Sequence, residues 1–331
     1  MMLLGLTACE ATRPSTPPAP TSRPAWFSEC TFEGWIEYRS VDDFVVHAYL
    51  LKPAGTGPFK LLVYTPGGGK GSQILHQAMM LHRLGRFTPF LEAGYVVLVP
   101  AYRGAADFGP DYEAAFDYGG REVDDVVSGA RHLLACGLVD GRRIYFSGVS
   151  HGAKISVLIA ERHRLAAGVA PICGDYDTSS AVAGQRVPGY CEALQPPGRA
   201  GVIRESILKQ NPGLTGEKIL EEARRRDPLL QVDQIACPVF LTTGEQDYVV
   251  GHCVAARLKQ ELIRCGKISM DKLYRGLRTN HGFVYEKTPA TAELWQDILS
   301  FCEGRLVSQV GSIPLEALRP EYPQPTRPSR R

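Results

Sequence analysis

The sequence predicts an α/β fold: a mostly parallel, twisted sheet with helices on both faces and a lid inserted after a core strand. Three observations carry that reading. Short apolar, β-branched runs alternate with helix-spaced segments along most of the chain, which is the pattern of βαβ units whose strands are covered on both sides. The polar and glycine-rich loops fall at the ends of those runs, where parallel sheets collect their functional groups. One long interval, about residues 177–232, breaks the rhythm with clustered Pro and Gly.

Taken in order, residues 34–39 and 44–52 are β-rich and flank a turn at Val41-Asp42-Asp43. The second run stops at Lys52-Pro53, and the pair suits an antiparallel edge. Residues 60–65 (KLLVYT) form a short buried strand that ends in Pro66-Gly67-Gly68-Gly69. Residues 73–93 carry helical spacing, broken near Gly85 and Pro89 and stopped at Gly94. Residues 95–100 read as a strand. Residues 122–136 read as an amphipathic helix with Val123, Val126, Val127, Ala130, Leu133 and Leu134 on one side. A strand at 143–148 leads into a helix at 151–161, and further strands are expected at 165–172, 237–243 and 271–274. The 177–232 interval holds Gly184, Pro188, Pro196, Pro197 and Pro212 before a charged helix at 216–226. It reads either as a lid over the site or as a surface excursion without a role.

Composition narrows the function classes. Across 331 residues the chain is 44% hydrophobic and 22% charged with a net charge of +2, the profile of a globular protein with a sizeable core. Without a basic stripe, nucleic acid is not expected as a partner. No apolar run reaches the roughly 18 residues of a membrane-spanning helix. The oligomeric state is not legible.

The ends differ from the middle. Residues 1–9 form a short apolar run closing on Leu6-Thr7-Ala8-Cys9, which resembles a bacterial lipobox and marks Cys9 as a lipidation site. Residues 10–33 are a Pro-rich linker, which would tether an exported, periplasmic or membrane-anchored domain. No Lys or Arg precedes the apolar run, so a plain apolar start on a cytoplasmic protein remains the alternative. Residues 306–331, rich in Pro and Arg, read as a loosely packed tail beyond a catalytic domain at 34–305. Eight cysteines remain besides Cys9; they allow about 105 full pairings and show no CxxC metal spacing.

The chemistry centres on Gly148-Val149-Ser150-His151-Gly152, a G-x-S-x-G between a strand and a helix. Glycine on both sides lets a serine occupy a sharp strand-to-helix turn, with its hydroxyl exposed at the positive end of the helix. A serine hydroxyl needs a base, and the base needs an orienting acid. His281, in Asn280-His281-Gly282-Phe283 after the last strand, is the candidate base. Asp247, after the strand ending at Thr243, is the candidate acid, with Glu245, Asp175 and Asp177 as rivals. One oxyanion donor is the His151 backbone N–H, and a second is expected from Gly67, Gly68 or Gly69. A phosphate loop fails on spacing, since Gly71 follows Lys70 and Tyr64 stands where its first glycine belongs. No nucleotide, organic cofactor or metal is expected.

With these residues placed, the chain resembles the α/β-hydrolase catalytic domain of the prolyl oligopeptidase family of serine hydrolases, over about residues 34–303. The match rests on Tyr38-Arg39-Ser40, then Pro100-Ala101-Tyr102-Arg103-Gly104 with Phe108-Gly109, then Glu122 and Asp124-Asp125. It continues through Val139-Asp140, the Gly148–Gly152 elbow, Arg226-Asp227-Pro228-Leu229, Cys237-Pro238, Gly244-x-x-Asp247 and His281-Gly282. The resemblance implies hydrolysis of a small ester or peptide substrate through an acyl-enzyme. Two departures weaken a peptidase assignment. About 33 residues precede the first strand, so the family's β-propeller is not expected. Where prolyl oligopeptidases carry an oxyanion tyrosine, this chain has Pro66, which implies a backbone-built hole. A carboxylesterase acting on short-chain or carbohydrate-linked esters, and a non-catalytic lipoprotein that keeps the fold, are the competing readings.

Overall fold

The computed structural model describes residues 32–305 and 311–319. Cys9, the linker before Phe32, Cys30 and the end of the tail lie outside the described residues.

Eight strands form one sheet in the order β1-β2-β4-β3-β5-β6-β7-β8. The hairpin β1 (Phe32–Arg39) and β2 (Val45–Lys52) makes the antiparallel edge, and β2 also runs antiparallel to β4 (Tyr95–Ala101). From β4 onward every neighbour is parallel: β3 (Phe59–Thr65), β5 (Val139–Val149), β6 (Gly168–Ile172), β7 (Val239–Gly244) and β8 (Ser269–Tyr274). Strand β1 starts two residues inside the stretch read from sequence as linker, because Phe32 still pairs with Lys52.

The helices are α1 (Ile74–Arg83), α2 (Thr88–Glu92), α3 (Pro110–Ala114), α4 (Arg121–Ala135), α5 (His151–Arg162), α6 (Ser179–Val182), α7 (Gly198–Gln210), α8 (Glu217–Arg225), α9 (His252–Arg264) and α10 (Pro289–Cys302). Side chains alternate across the sheet with a period of two. On β3, Leu61 and Val63 join the core under α4, α5 and α9, whereas Leu62 and Tyr64 join the one under α1, α2 and α10. The continuous apolar runs seen in the sequence are thus strands buried on both faces, each large side chain contributing about 1.5–3 kcal/mol. The 73–93 segment breaks into α1 and α2 as its Gly85 and Pro89 imply, with Pro89 in the first turn of α2.

Between β6 and β7 the chain leaves the sheet and builds a lid from α6, α7 and α8. It has its own small core, where Ile203, Ile207 and Ile219 pack on Phe116 and Tyr118 from the loop before α4. Helix α7 was not anticipated, since Gly198, Gly201 and a weak apolar pattern hide it. The tail differs from expectation too. Residues 311–319 are docked, with Ile313 and Ala317 buried, Ile313 N–H donating to Asp271 (2.6 Å) and Lys259 donating to the Ile313 carbonyl (2.7 Å). Among the described residues, no helix is long and apolar enough to cross a membrane. The seven described cysteines are free thiols.

Candidate active site

The G-x-S-x-G segment is the turn from β5 into α5. Ser150 sits at φ 57° and ψ −117°, a strained conformation for a residue with a Cβ. Its N–H is held by the Ile172 carbonyl of β6 (2.9 Å). The flanking glycines are a matter of clearance. A Cβ on Gly152 would lie 1.9 Å from the Thr65 carbonyl, and one on Gly148 would lie 2.4 Å from the same oxygen. Their absence lets α5 settle on the end of β3, with the serine facing outward.

Loops at the ends of β7 and β8 bring the other two residues to it. His281 Nδ1 lies 2.8 Å from Asp247 Oδ2, and Nε2 lies 2.9 Å from Ser150 Oγ. A carboxylate offers only acceptors, so Nδ1–H donates to Asp247 and Nε2 is left to accept the serine proton. Asp247 is fully buried and anchored, its Oδ1 accepting the N–H groups of Val249 (3.0 Å) and Val250 (2.9 Å). The rival acids are engaged elsewhere: Glu245 with Arg275, Asp177 with Arg257, and Asp175 with Arg199 and Lys154. Cys173 also reaches this pair, its Sγ, an Asp247 oxygen and a His281 nitrogen lying within 4.8 Å of one another. Burial pushes its thiol well up, and the neighbouring Asp247 carboxylate adds to that.

The His151 side chain is buried, its ring packed beside Phe116 and Tyr118. Its Nε2 meets Glu122 Oε2 at 2.6 Å, and Glu122 also accepts the N–H of Gly119 (2.7 Å). Burial alone would raise the Glu122 carboxyl, but His151 and the backbone N–H groups of Gly119 and Asp117 bring it below its ordinary value. The acidic start of α4 therefore braces the elbow, and Asp125, three residues on, accepts two hydrogen bonds from the Arg103 guanidinium (2.9 and 2.7 Å). As the first residue of α5, His151 has a backbone N–H with no acceptor inside the helix.

Of the three loop glycines, Gly69 spends its N–H on the Ser72 hydroxyl (2.8 Å). Gly67 presses against the elbow, where an added Cβ would lie 3.1 Å from Ser150 Cβ. Gly68, at φ 111°, borders the cleft together with Ser150 and His151. Pro66 contributes its carbonyl to the Tyr102 hydroxyl (3.2 Å).

The cleft over Ser150 has a volume of about 480 Å³. One wall comes from Phe116 and Tyr118, the other from Leu194 and from Val202, Glu205, Ser206 and Lys209 of the lid. Of the lid carboxylates, Glu205 reaches the cleft, 3.7 Å from Lys70, whereas Glu192 pairs with Arg186 and Glu217 with Arg224 on the surface. The sequence reading missed what roots this wall. Asp175 is buried among four partners: Arg199 of α7, Lys154 of α5 (3.2 Å), and the hydroxyls of Tyr118 (2.9 Å) and Tyr190 (2.7 Å). Burial opposes ionisation of Asp175, but the Arg199 and Lys154 charges outweigh it and hold the carboxyl well below the usual range. No local pattern announces such a cluster, since its members are scattered from Tyr118 to Arg199.

Known proteins share sequence and fold with this chain. A model of the prolyl oligopeptidase family matches residues 83–184. An uncharacterized peptidase of Bacillus subtilis, YtmA, is 30% identical over 220 residues, covering 65% of this chain and 75% of that one. The acylamino-acid-releasing enzyme of mouse is 24% identical over 218 residues, or 64% of this chain and 27% of that protein. Among solved structures, an acylaminoacyl peptidase of Pyrococcus horikoshii superposes with a TM-score of 0.64 at 16% identity, over 84% of this chain and 42% of that one. A puromycin-hydrolyzing peptidase of Mycobacterium tuberculosis gives 0.62 at 20% identity, over 86% and 42%. At such identities the solved structures establish the α/β-hydrolase fold, and the chain spans about two fifths of their length.

Proposed function

The chain belongs to the prolyl oligopeptidase family of serine hydrolases, and from that premise we propose that it cleaves a peptide or related acyl bond through an acyl-enzyme on Ser150. The observation that carries the proposal is the unbroken hydrogen-bond chain Ser150–His281–Asp247, with the imidazole in the tautomer a base requires.

In this mechanism His281 Nε2 takes the Ser150 proton as Oγ attacks the carbonyl, and Asp247 holds the imidazolium that results. The carbonyl oxygen gains negative charge against the backbone N–H groups of His151 and Gly68, at the positive end of α5. His281 then gives its proton to the leaving group. Water, deprotonated by the same nitrogen, attacks the acyl-enzyme and restores Ser150. The chain's own residues account for each proton movement.

The cleft's size and its aromatic and aliphatic walls suit a short, partly apolar acyl or aminoacyl group rather than a long chain. Likeness to proteins named for releasing acylated amino acids and for hydrolysing puromycin supports small amide substrates. The test compares p-nitrophenyl acyl esters with acyl- and aminoacyl-p-nitroanilides. Anilide turnover that disappears in Ser150→Ala supports the peptidase reading. Ester turnover with silent anilides overturns it in favour of an esterase.

A further inference from the structure

We propose that Gln77 and Tyr285 are positioning residues that set the oxyanion hole by fixing the orientation of the Gly67–Gly68 peptide. The inference rests on the serine-hydrolase reading above and deepens it.

The observation is a relay of two hydrogen bonds behind the cleft. The Tyr285 hydroxyl donates to Gln77 Oε1, and Gln77 Nε2 donates to the Gly67 carbonyl (3.1 Å). Each link dictates the next. Burial pushes the Tyr285 phenol up, so it stays a donor throughout the range in which a hydrolase works. A carboxamide that accepts a phenol through its oxygen must present its nitrogen to its other partner. That partner, a backbone carbonyl, has only lone pairs to offer. The relay therefore has one consistent polarity, and it pins the Gly67 oxygen toward α1.

The consequence follows from peptide planarity. In a trans peptide the C=O and the following N–H point in opposite directions. The Gly67–Gly68 bond is not among the cis peptides, which are Gly57-Pro58 and Pro196-Pro197. With the Gly67 carbonyl drawn toward Gln77, the Gly68 N–H points the other way, and Gly68, like Gly69, borders the cleft that Ser150 and His151 also line. Among the described residues this N–H has no acceptor, whereas the next one, of Gly69, is already committed to Ser72. Glycine at both positions leaves this peptide free to flip, since Gly68 at φ 111° is in the region that side chains avoid. A flip would turn the carbonyl oxygen toward a developing oxyanion. The relay holds the peptide in the productive state. It also links the two halves of the machinery, because Tyr285 lies on the same short loop as His281, in the turn that follows it.

The test uses the full chain and two readouts: the rate constant for labelling of Ser150 by an alkyl fluorophosphonate, and the turnover of p-nitrophenyl acetate. Gln77→Met fills the space without a donor. Gln77→Glu keeps the acceptor for Tyr285 but cannot donate to Gly67. Both are expected to lower the labelling rate and kcat by about 10–100-fold, less than the roughly 10²–10³-fold of removing an oxyanion donor outright, because the Gly68 N–H is misdirected rather than absent. KM should change by less than about threefold, and the pH profile should keep its shape because the His281–Asp247 pair is untouched. Tyr285→Phe should fall less, by about three- to tenfold, and the double variant should be no worse than Gln77→Met alone, as members of one relay are not additive. Thermal midpoints identify any variant that loses activity merely by unfolding. Turnover by folded Gln77→Met and Gln77→Glu within twofold of wild type would overturn the inference and leave the Ser150 reading standing. Wild-type turnover that survives Ser150→Ala would overturn both.

Discussion

At the nucleophile elbow, α5 meets β3 backbone against backbone, with Gly148 and Gly152 stripped of any Cβ that would collide with the Thr65 carbonyl. Across the cleft, the lid helix α7 is held through side chains instead, by Arg199 on the buried carboxylate of Asp175 and by Ile203 and Ile207 in a small separate core. The first kind of contact tolerates almost no substitution and leaves a short, fixed sequence pattern. The second can be built from many residue combinations, provided the charges are matched after folding. The elbow and the lid root should therefore differ in their sensitivity to mutation.

The largest effect should come from removing chemistry without touching packing. Ser150→Ala is expected to cut kcat by about 10⁴-fold or more with the thermal midpoint unmoved, as judged by steady-state turnover beside thermal denaturation. Next, Gly152→Ala should cost about 4 kcal/mol or more, because the obstructing atoms are backbone and cannot rotate away. Chemical denaturation of the variant would read this; a loss below 1 kcal/mol would mean that the elbow is looser than its contacts imply.

On the lid side, Arg199→Met should destabilise by roughly 3 kcal/mol, since it leaves Asp175 with one buried cation instead of two. It should also raise KM more than it lowers kcat, which sets it apart from the elbow variants. The Asp175 contribution has a defined pH window. Its carboxyl titrates below its unfolded value in the folded protein, so its stabilisation is present above about pH 4 and is lost as the pH falls toward the depressed folded value.

The smallest effect has the opposite sign. Glu161, on α5, is buried with neither carboxyl oxygen hydrogen-bonded, and burial raises its pKa well above the ordinary value. The folded state therefore holds a proton that the unfolded chain releases above about pH 4.5, so the native state loses ground as the pH rises. Glu161→Met should gain about 1 kcal/mol at pH 8, with the gain shrinking toward pH 4. Denaturation midpoints at both pH values would check it.

The same contrast explains what was legible in the sequence. The strands of the sheet, the split between α1 and α2, and the positions of Ser150, Asp247 and His281 follow from local constraints: apolar runs, proline and glycine stops, and a turn that admits few residues. Helix α7 did not show, because its buried face includes Arg199 and Ser206, which read as solvent-facing until Asp175 and the cleft are in place. The docking of residues 311–319 was hidden for a similar reason, since its anchors are Lys259 and Asp271, far away in the chain. Nothing local marks Gln77 within the 73–93 helical stretch, and only the fold places it between Tyr285 and Gly67.

The central claim is that Ser150 is a nucleophile activated by His281. Its most direct test is the intact mass of the protein after brief exposure to an alkyl fluorophosphonate, compared between wild type and His281→Ala. A single adduct that maps to Ser150 and forms about 10³-fold more slowly without the imidazole is the predicted result. An adduct on another residue, or labelling of Ser150 at the same rate in both proteins, would contradict it.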